Sequence, residues 1–91
     1  MHYAGHPVNM DRLRSITGNR IVIEDACHAL GAKYQNGNKV GSCSYSDMCV
    51  FSFHPIKPIT TGEGGIITTN DHRLAQKLRM LRDHGLERNP E

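Results

Sequence analysis

Two kinds of apolar spacing take turns along the chain. Over residues 9–17, Met10, Leu13 and Ile16 recur every three positions, which places them on one face of a helix. Asn9 stands where an N-cap accepts a backbone N–H, and Gly18-Asn19 ends the helix. Residues 20–23 form a β-branched run without alternation, as expected of a parallel strand covered on both faces. Residues 26–30 predict a single helical turn. Ala32-Lys33-Tyr34 and Lys39-Val40 flank an Asn-Gly pair and predict a small hairpin. Residues 48–53 and 65–69 predict two further strands. Asn70 or Asp71 then caps a helix through Arg82, with Leu74, Ala75, Leu78 and Leu81 as its apolar stripe. Helix, short turn and buried strand in succession predict an α/β architecture with a mixed, mostly parallel sheet.

Between the last two strands lies the most constrained stretch, residues 51–65 (FSFHPIKPITTGEGG). Pro55 and Pro58 fix their own φ and push His54 and Lys57 towards extended geometry. Lys57 therefore projects from a stiff loop at the end of a strand, not from a helix. A solvated surface lysine needs no such support. The Gly62, Gly64 and Gly65 cluster is no phosphate loop, because it lacks the G-x-x-x-x-G-K-[ST] order and no helix follows directly. Upstream, Glu24-Asp25 falls at the carboxyl end of the first strand, where open α/β sheets bind ligands.

Composition narrows the functional classes. With 91 residues, 37% hydrophobic, no Trp and two Phe, the core is thin for one small domain. A net charge of +2 gives no electrostatic footprint for nucleic acid. No run approaches the ~20 apolar residues of a membrane span, and the N-terminus lacks the apolar core of a signal peptide. Three cysteines, Cys27, Cys43 and Cys49, cannot all pair and show no C-x-x-C spacing. Reduced thiols in a cytoplasmic protein are the expectation.

The lysine stretch resembles the lysine loop of the DegT/DnrJ/EryC1/StrS family, sugar aminotransferases that use pyridoxal 5′-phosphate. The likeness extends to Ile23-Glu24-Asp25-Ala26-Cys27-His28-Ala29, to Gly41-Ser42 and Tyr45-Ser46-Asp47, and to His2-Tyr3-Ala4-Gly5-His6-Pro7 and Arg82-Asp83-His84-Gly85. It covers nearly the whole chain, in order. The resemblance implies a fragment, residues 1–91, of the cofactor-binding large domain of fold type I, a partial three-layer α/β/α sheet. A family subunit is several times longer, with a dimer whose pockets borrow residues from the neighbouring subunit.

The resemblance also assigns roles. Lys57 takes the place of the catalytic lysine that forms the Schiff base with the cofactor and then moves a proton during transfer. Relatives with His at this position dehydrate their substrate, so Lys57 implies amino transfer. Asp25 matches the carboxylate that keeps the cofactor's ring nitrogen protonated. Spacing alone does not choose Asp25 over Glu24, and Asp25 could equally cap the turn that follows. His28 matches a position, commonly Gln or His, that contacts the ring region. Ser52 matches the hydroxyl that binds the cofactor phosphate. The implied reaction moves an amino group from glutamate to a keto sugar of a nucleotide-sugar, for surface polysaccharide synthesis.

Two other classes stay open on the sequence. The 91-residue chain alone is expected to be inactive, for want of the remaining phosphate ligands, and to self-associate through its uncovered apolar edges. A metal or redox module built on His54, His84 and the cysteines needs tight ligand pairs that the spacing does not supply.

Overall fold

The computed structural model describes residues 1–86. Its frame is a three-stranded sheet in the order β1-β2-β3, formed by β1 (Ile23–Asp25), β2 (Met48–Ser52) and β3 (Gly65–Thr68). β1 runs parallel to β2, whereas β3 is antiparallel to β2. The parallel pair requires a crossover, supplied by residues 26–47. The antiparallel pair is joined by the lysine loop. Two helices flank the strands in sequence, α1 (Met10–Thr17) and α2 (His72–Arg82). The result is a partial α/β domain with a mixed sheet, half parallel and half antiparallel.

Both helix starts are those the sequence predicts. Asn9 caps α1 by accepting from Arg12 N at 3.0 Å, and Gly18 closes it with its N–H on Arg14 O. Asp71, not Asn70, caps α2, accepting from Arg73 N and Leu74 N. The hairpin is present as well, with Lys33 bridged to Lys39 and Tyr34 N donating to Asn38 O at 2.9 Å. Residues 26–30 make hydrogen-bonded turns, Ala29 N to Ala26 O, and no helix.

The strands correct the expectation of burial on both faces. β1 begins at Ile23, later than expected, because Val22 N turns to the Asp47 carboxylate at 2.8 Å. Its residues read exposed, buried, exposed, and β3 is largely exposed. One face of the sheet carries Glu24, Cys49 and Phe51, and the crossover folds over it. Met10, Val22, Ala26, Ala29, Tyr34, Val40 and Cys43 complete that core. The other face carries Ile23, Asp25, Val50, Ser52 and Ile67, with Asp25, Val50 and Ile67 in one row across the strands. α2 stands across part of this face, leaving an open groove of about 460 Å3 lined by Val50, Ile67, Ala75 and Leu78. The helical stripes are therefore only partly used. Met10 is buried while Ile16 stays exposed, and Leu78 is half-buried while Leu81 stays exposed.

All three cysteines are free thiols, and Cys49 is fully buried. Burial pushes the Cys49 thiol up to about 12, with the Glu24 carboxylate adding to the shift.

Candidate functional site

Alternation along β1 divides the acidic pair between two environments. Glu24 points into the core and Asp25 to the open face. The Glu24 carboxylate accepts from Tyr34 Oη at 2.5 Å, from Ser46 Oγ, and from His2 Nε2 at 2.6 Å. Val8 N–H donates to His2 Nδ1 at 3.0 Å. A backbone N–H can only donate, so Nδ1 is the acceptor and the ring proton sits on Nε2, directed at Glu24. This buried cluster is what the sequence reading missed. Its one signal was the pairing of a motif histidine near the N-terminus with a glutamate that the site did not need.

Asp25 closes β1 and Ser52 closes β2, so the two parallel strands present both residues at their carboxyl ends, on the same face. The Asp25 carboxylate accepts from Cys27 N at 3.1 Å. Hydrogen bonds from Cys27, its backbone N–H first and its thiol second, hold the Asp25 carboxyl below its ordinary 3.8. It is therefore an exposed, ionised carboxylate at neutral pH. Ser52 Oγ accepts from His54 N at 3.3 Å, which leaves its own O–H free to donate.

Lys57 sits five residues beyond Ser52 in a loop closed at its base by Phe53. Phe53 N donates to Gly64 O at 2.8 Å, while Thr61 N and Thr60 Oγ1 donate to Phe53 O. Lys57 N donates to His54 O at 2.9 Å, completing a turn through Pro55. Gly65 meets a hard constraint where the loop rejoins the sheet, since a Cβ there would stand 2.8 Å from Phe51 O. Lys57 is half-buried, and among the described residues it makes no ion pair. Burial pushes the Cys27 thiol up and Asp25 adds to the shift, while the Lys57 ammonium acts in the opposite direction. Asp25, Cys27 and Lys57 thus share one electrostatic neighbourhood.

His28 follows on the turn after β1, half-buried, with its Nδ1 accepting from Ala4 N at 3.3 Å. The Tyr3 ring meets it edge-on, centroids 5.7 Å apart. Among the described residues, no three His, Cys, Asp or Glu side chains gather as a metal site. The groove under α2 is lined by none of Asp25, His28, Ser52 and Lys57.

Comparison with known proteins settles the ancestry. The profile of the DegT/DnrJ/EryC1/StrS aminotransferase family matches residues 1–91. This chain belongs to that family. It is 49% identical over 90 residues to an uncharacterized protein of Methanocaldococcus jannaschii, covering 97% of this chain and 22% of that protein. It is 45% identical over 86 residues to a UDP-4-amino-4,6-dideoxy-N-acetyl-beta-L-altrosamine transaminase of Campylobacter jejuni, covering 92% of this chain and 22% of the enzyme. Among solved structures, Helicobacter pylori PseC, an aminotransferase involved in the biosynthesis of pseudoaminic acid, superposes with a TM-score of 0.87 at 41% identity. That match covers 98% of this chain and 24% of PseC. The chain therefore spans between a fifth and a quarter of the length of these relatives. No helix of the described residues is long and apolar enough to cross a membrane.

Proposed function

We propose that residues 1–91 form the lysine-bearing part of the cofactor-binding domain of a pyridoxal 5′-phosphate-dependent nucleotide-sugar aminotransferase. One observation carries the proposal. Asp25 and Ser52 stand at the carboxyl ends of two parallel strands, on the face that the core leaves open, and half-buried Lys57 follows five residues beyond Ser52. Open α/β sheets bind ligands at that end.

The donor set suits the group. Ionised Asp25 faces the site with a negative charge and stabilises a protonated ring nitrogen. The Ser52 O–H, unspent on its neighbours, donates to a phosphate oxygen. Lys57, without an ion pair among the described residues and held by the turn through Pro55, would supply the amine that holds the aldehyde and would carry the proton on its Nζ. His28 would contact the ring region. When bound, pyridoxal phosphate withdraws electrons from the substrate carbon, which makes that proton transfer possible. The names of the Campylobacter jejuni and Helicobacter pylori relatives support a UDP-linked amino sugar as the acceptor. Glutamate is the proposed donor, and a dimer the proposed assembly.

The test is covalent. The chain is incubated with pyridoxal phosphate, reduced with borohydride and mapped by mass spectrometry, beside Lys57→Ala. Selective label at Lys57, lost in the variant, is the expected result. Label scattered over Lys33, Lys39 and Lys77 would show that these 91 residues form no working pocket by themselves. In the longer enzyme, transamination undiminished by Lys57→Ala would end the lysine's assignment.

A further inference from the structure

We propose that the Tyr3–Gly5 turn is a positioning device for His28, fixing its ring in the tautomer that carries the proton on Nε2. The proposal deepens the cofactor reading above, and only its functional half rests on that reading.

The turn is a short 3-10 segment whose middle residue, Ala4, adopts φ 52 and ψ 25. Left-handed geometry is unfavourable for a residue with a Cβ, and its presence asks for a compensating contact. The contact is at hand, because it is Ala4 N–H that donates to His28 Nδ1 at 3.3 Å. A backbone amide has no acceptor to offer there, so His28 Nδ1 must be unprotonated and the neutral ring must carry its proton on Nε2. Tyr3 adds an edge-on ring contact, centroids 5.7 Å apart and planes at 61°. Gly5 follows at φ +81, and a Cβ there would stand 3.0 Å from His28 O. Three consecutive residues of the turn therefore bear on one histidine.

The turn is also fastened to the core. His2 N donates to Asp25 O at 2.8 Å, on the free edge of β1. The His2 ring is held between the Glu24 carboxylate and Val8 N–H. The buried cluster thus fixes the turn, and the turn fixes His28. With Nδ1 occupied, His28 offers a site ligand one donor and no acceptor. It selects for an oxygen that accepts.

The tautomer can be read without any cofactor. The chain is labelled with 15N-histidine, and the ring nitrogens are followed by long-range 1H–15N correlation at about pH 8, where an ordinary histidine is neutral. His28→Gln assigns the signal by deleting it. The expected pattern is a protonated Nε2 with an unprotonated Nδ1, unchanged in Ala4→Gly, which keeps the N–H. Gly5→Ala should lose that pattern and show the averaged shifts of a free ring. A protonated Nδ1 in the unaltered chain would overturn the proposal, and that reading stands even if Gly5→Ala does not fold. So would a Gly5→Ala chain that folds and keeps the pattern. For the functional half, His28→Leu should lower pyridoxal phosphate labelling at Lys57 several-fold, and His28→Gln should restore part of it. Undiminished labelling in His28→Leu would refute that half. If the tautomer is as expected but Lys57 takes no label in the unaltered chain, the cofactor reading fails and the positioning of His28 stands.

Discussion

The two faces of the sheet are built from alternate residues of the same strands, yet they solve opposite problems. On the covered face a charged residue, Glu24, lies buried among Cys49, Phe51 and Tyr34 and is satisfied by three donors. On the other face the apolar residues Ile23 and Ile67 stand exposed, and the polar residues Asp25 and Ser52 accept from backbone N–H groups of the next turn. The covered face is thus a finished piece of structure, held by contacts within the chain. The open face is organised for contacts the described residues do not make. The difference teaches that position in the alternation, more than residue type, decides whether a side chain is structural or available. Glu24 and Asp25 share charge and strand and nothing else.

Substitutions in the acidic pair should separate the two faces most strongly. Glu24→Ala removes the acceptor from His2, Tyr34 and Ser46 at once, leaving buried donors unpaired. Losing one partner of a buried pair costs about 3–5 kcal/mol, enough to unfold a chain this small. Asp25→Asn, on the exposed side, should change stability by no more than about 0.5 kcal/mol while abolishing selective label at Lys57. Urea denaturation of the two variants checks the contrast. Equal stability losses would mean that the two faces are not distinct.

Raising the pH should weaken the covered face. The Cys49 thiol is pushed from its ordinary 9.0 up to about 12 by burial, and burial pushes the Tyr34 phenol up as well, with its hydrogen bond to Glu24 adding to the shift. Both groups hold their protons in the folded chain beyond the pH at which the unfolded chain releases them. The thiol's contribution is therefore intact below about pH 9 and is lost as the pH climbs from there towards 12, while the phenol's begins to be lost above its ordinary 10.0. Thermal melts between those limits should show Tm falling, and Cys49→Ala should flatten the part that the thiol carries.

The open face should respond in association and hardly in stability. Ile67→Lys places a charge beside Val50 on a half-exposed row, where folding changes by about 0.5 kcal/mol or less. Sedimentation should show less self-association, because an exposed apolar edge strand is the template for it. An unchanged oligomer distribution would locate the sticky surface elsewhere.

Much of this was legible in the sequence, for reasons that differ by element. Both helices could be read because Asn9 and Asp71 cap by local chemistry that needs no tertiary partner. The hairpin could be read from Asn36-Gly37 on the same ground. The position of Lys57 in a stiff loop followed from Pro55 and Pro58, which act on their immediate neighbours. The burial of the strands could not be read, because an unbroken apolar run looks alike whether its second face is covered or waits for a partner. The Glu24 cluster was hidden for a different reason. Its hydrogen bonds join Glu24 to His2 and Ser46, each 22 positions away, and to Tyr34, 10 away, and no local pattern marks contacts of that span. Of the candidate site, the residue types and their order stand in the sequence, whereas the bond from Cys27 N to Asp25 and the hold of Ala4 on His28 needed coordinates.

The Tyr3–Gly5 turn should respond less than the Glu24 cluster and with the opposite sign, at Ala4→Gly. Removing the Cβ relieves left-handed strain of about 1–2 kcal/mol. It also gives the unfolded chain more freedom, which returns roughly 0.5–1 kcal/mol to that side. The net should be a gain in stability of between zero and about 1.5 kcal/mol, seen as a higher urea midpoint at unchanged slope. The sign is the informative part. If Ala4→Gly stabilises, strain at residue 4 is stored in the resting fold and sustained by the anchorage of His2 to Glu24 and Asp25. If it destabilises by 1 kcal/mol or more, the Ala4 methyl makes contacts that outweigh its strain, and the turn is ordinary packing. Repeating the measurement in the background of His2→Ala separates these cases further. With the anchor gone the turn can relax, and the gain from glycine should vanish.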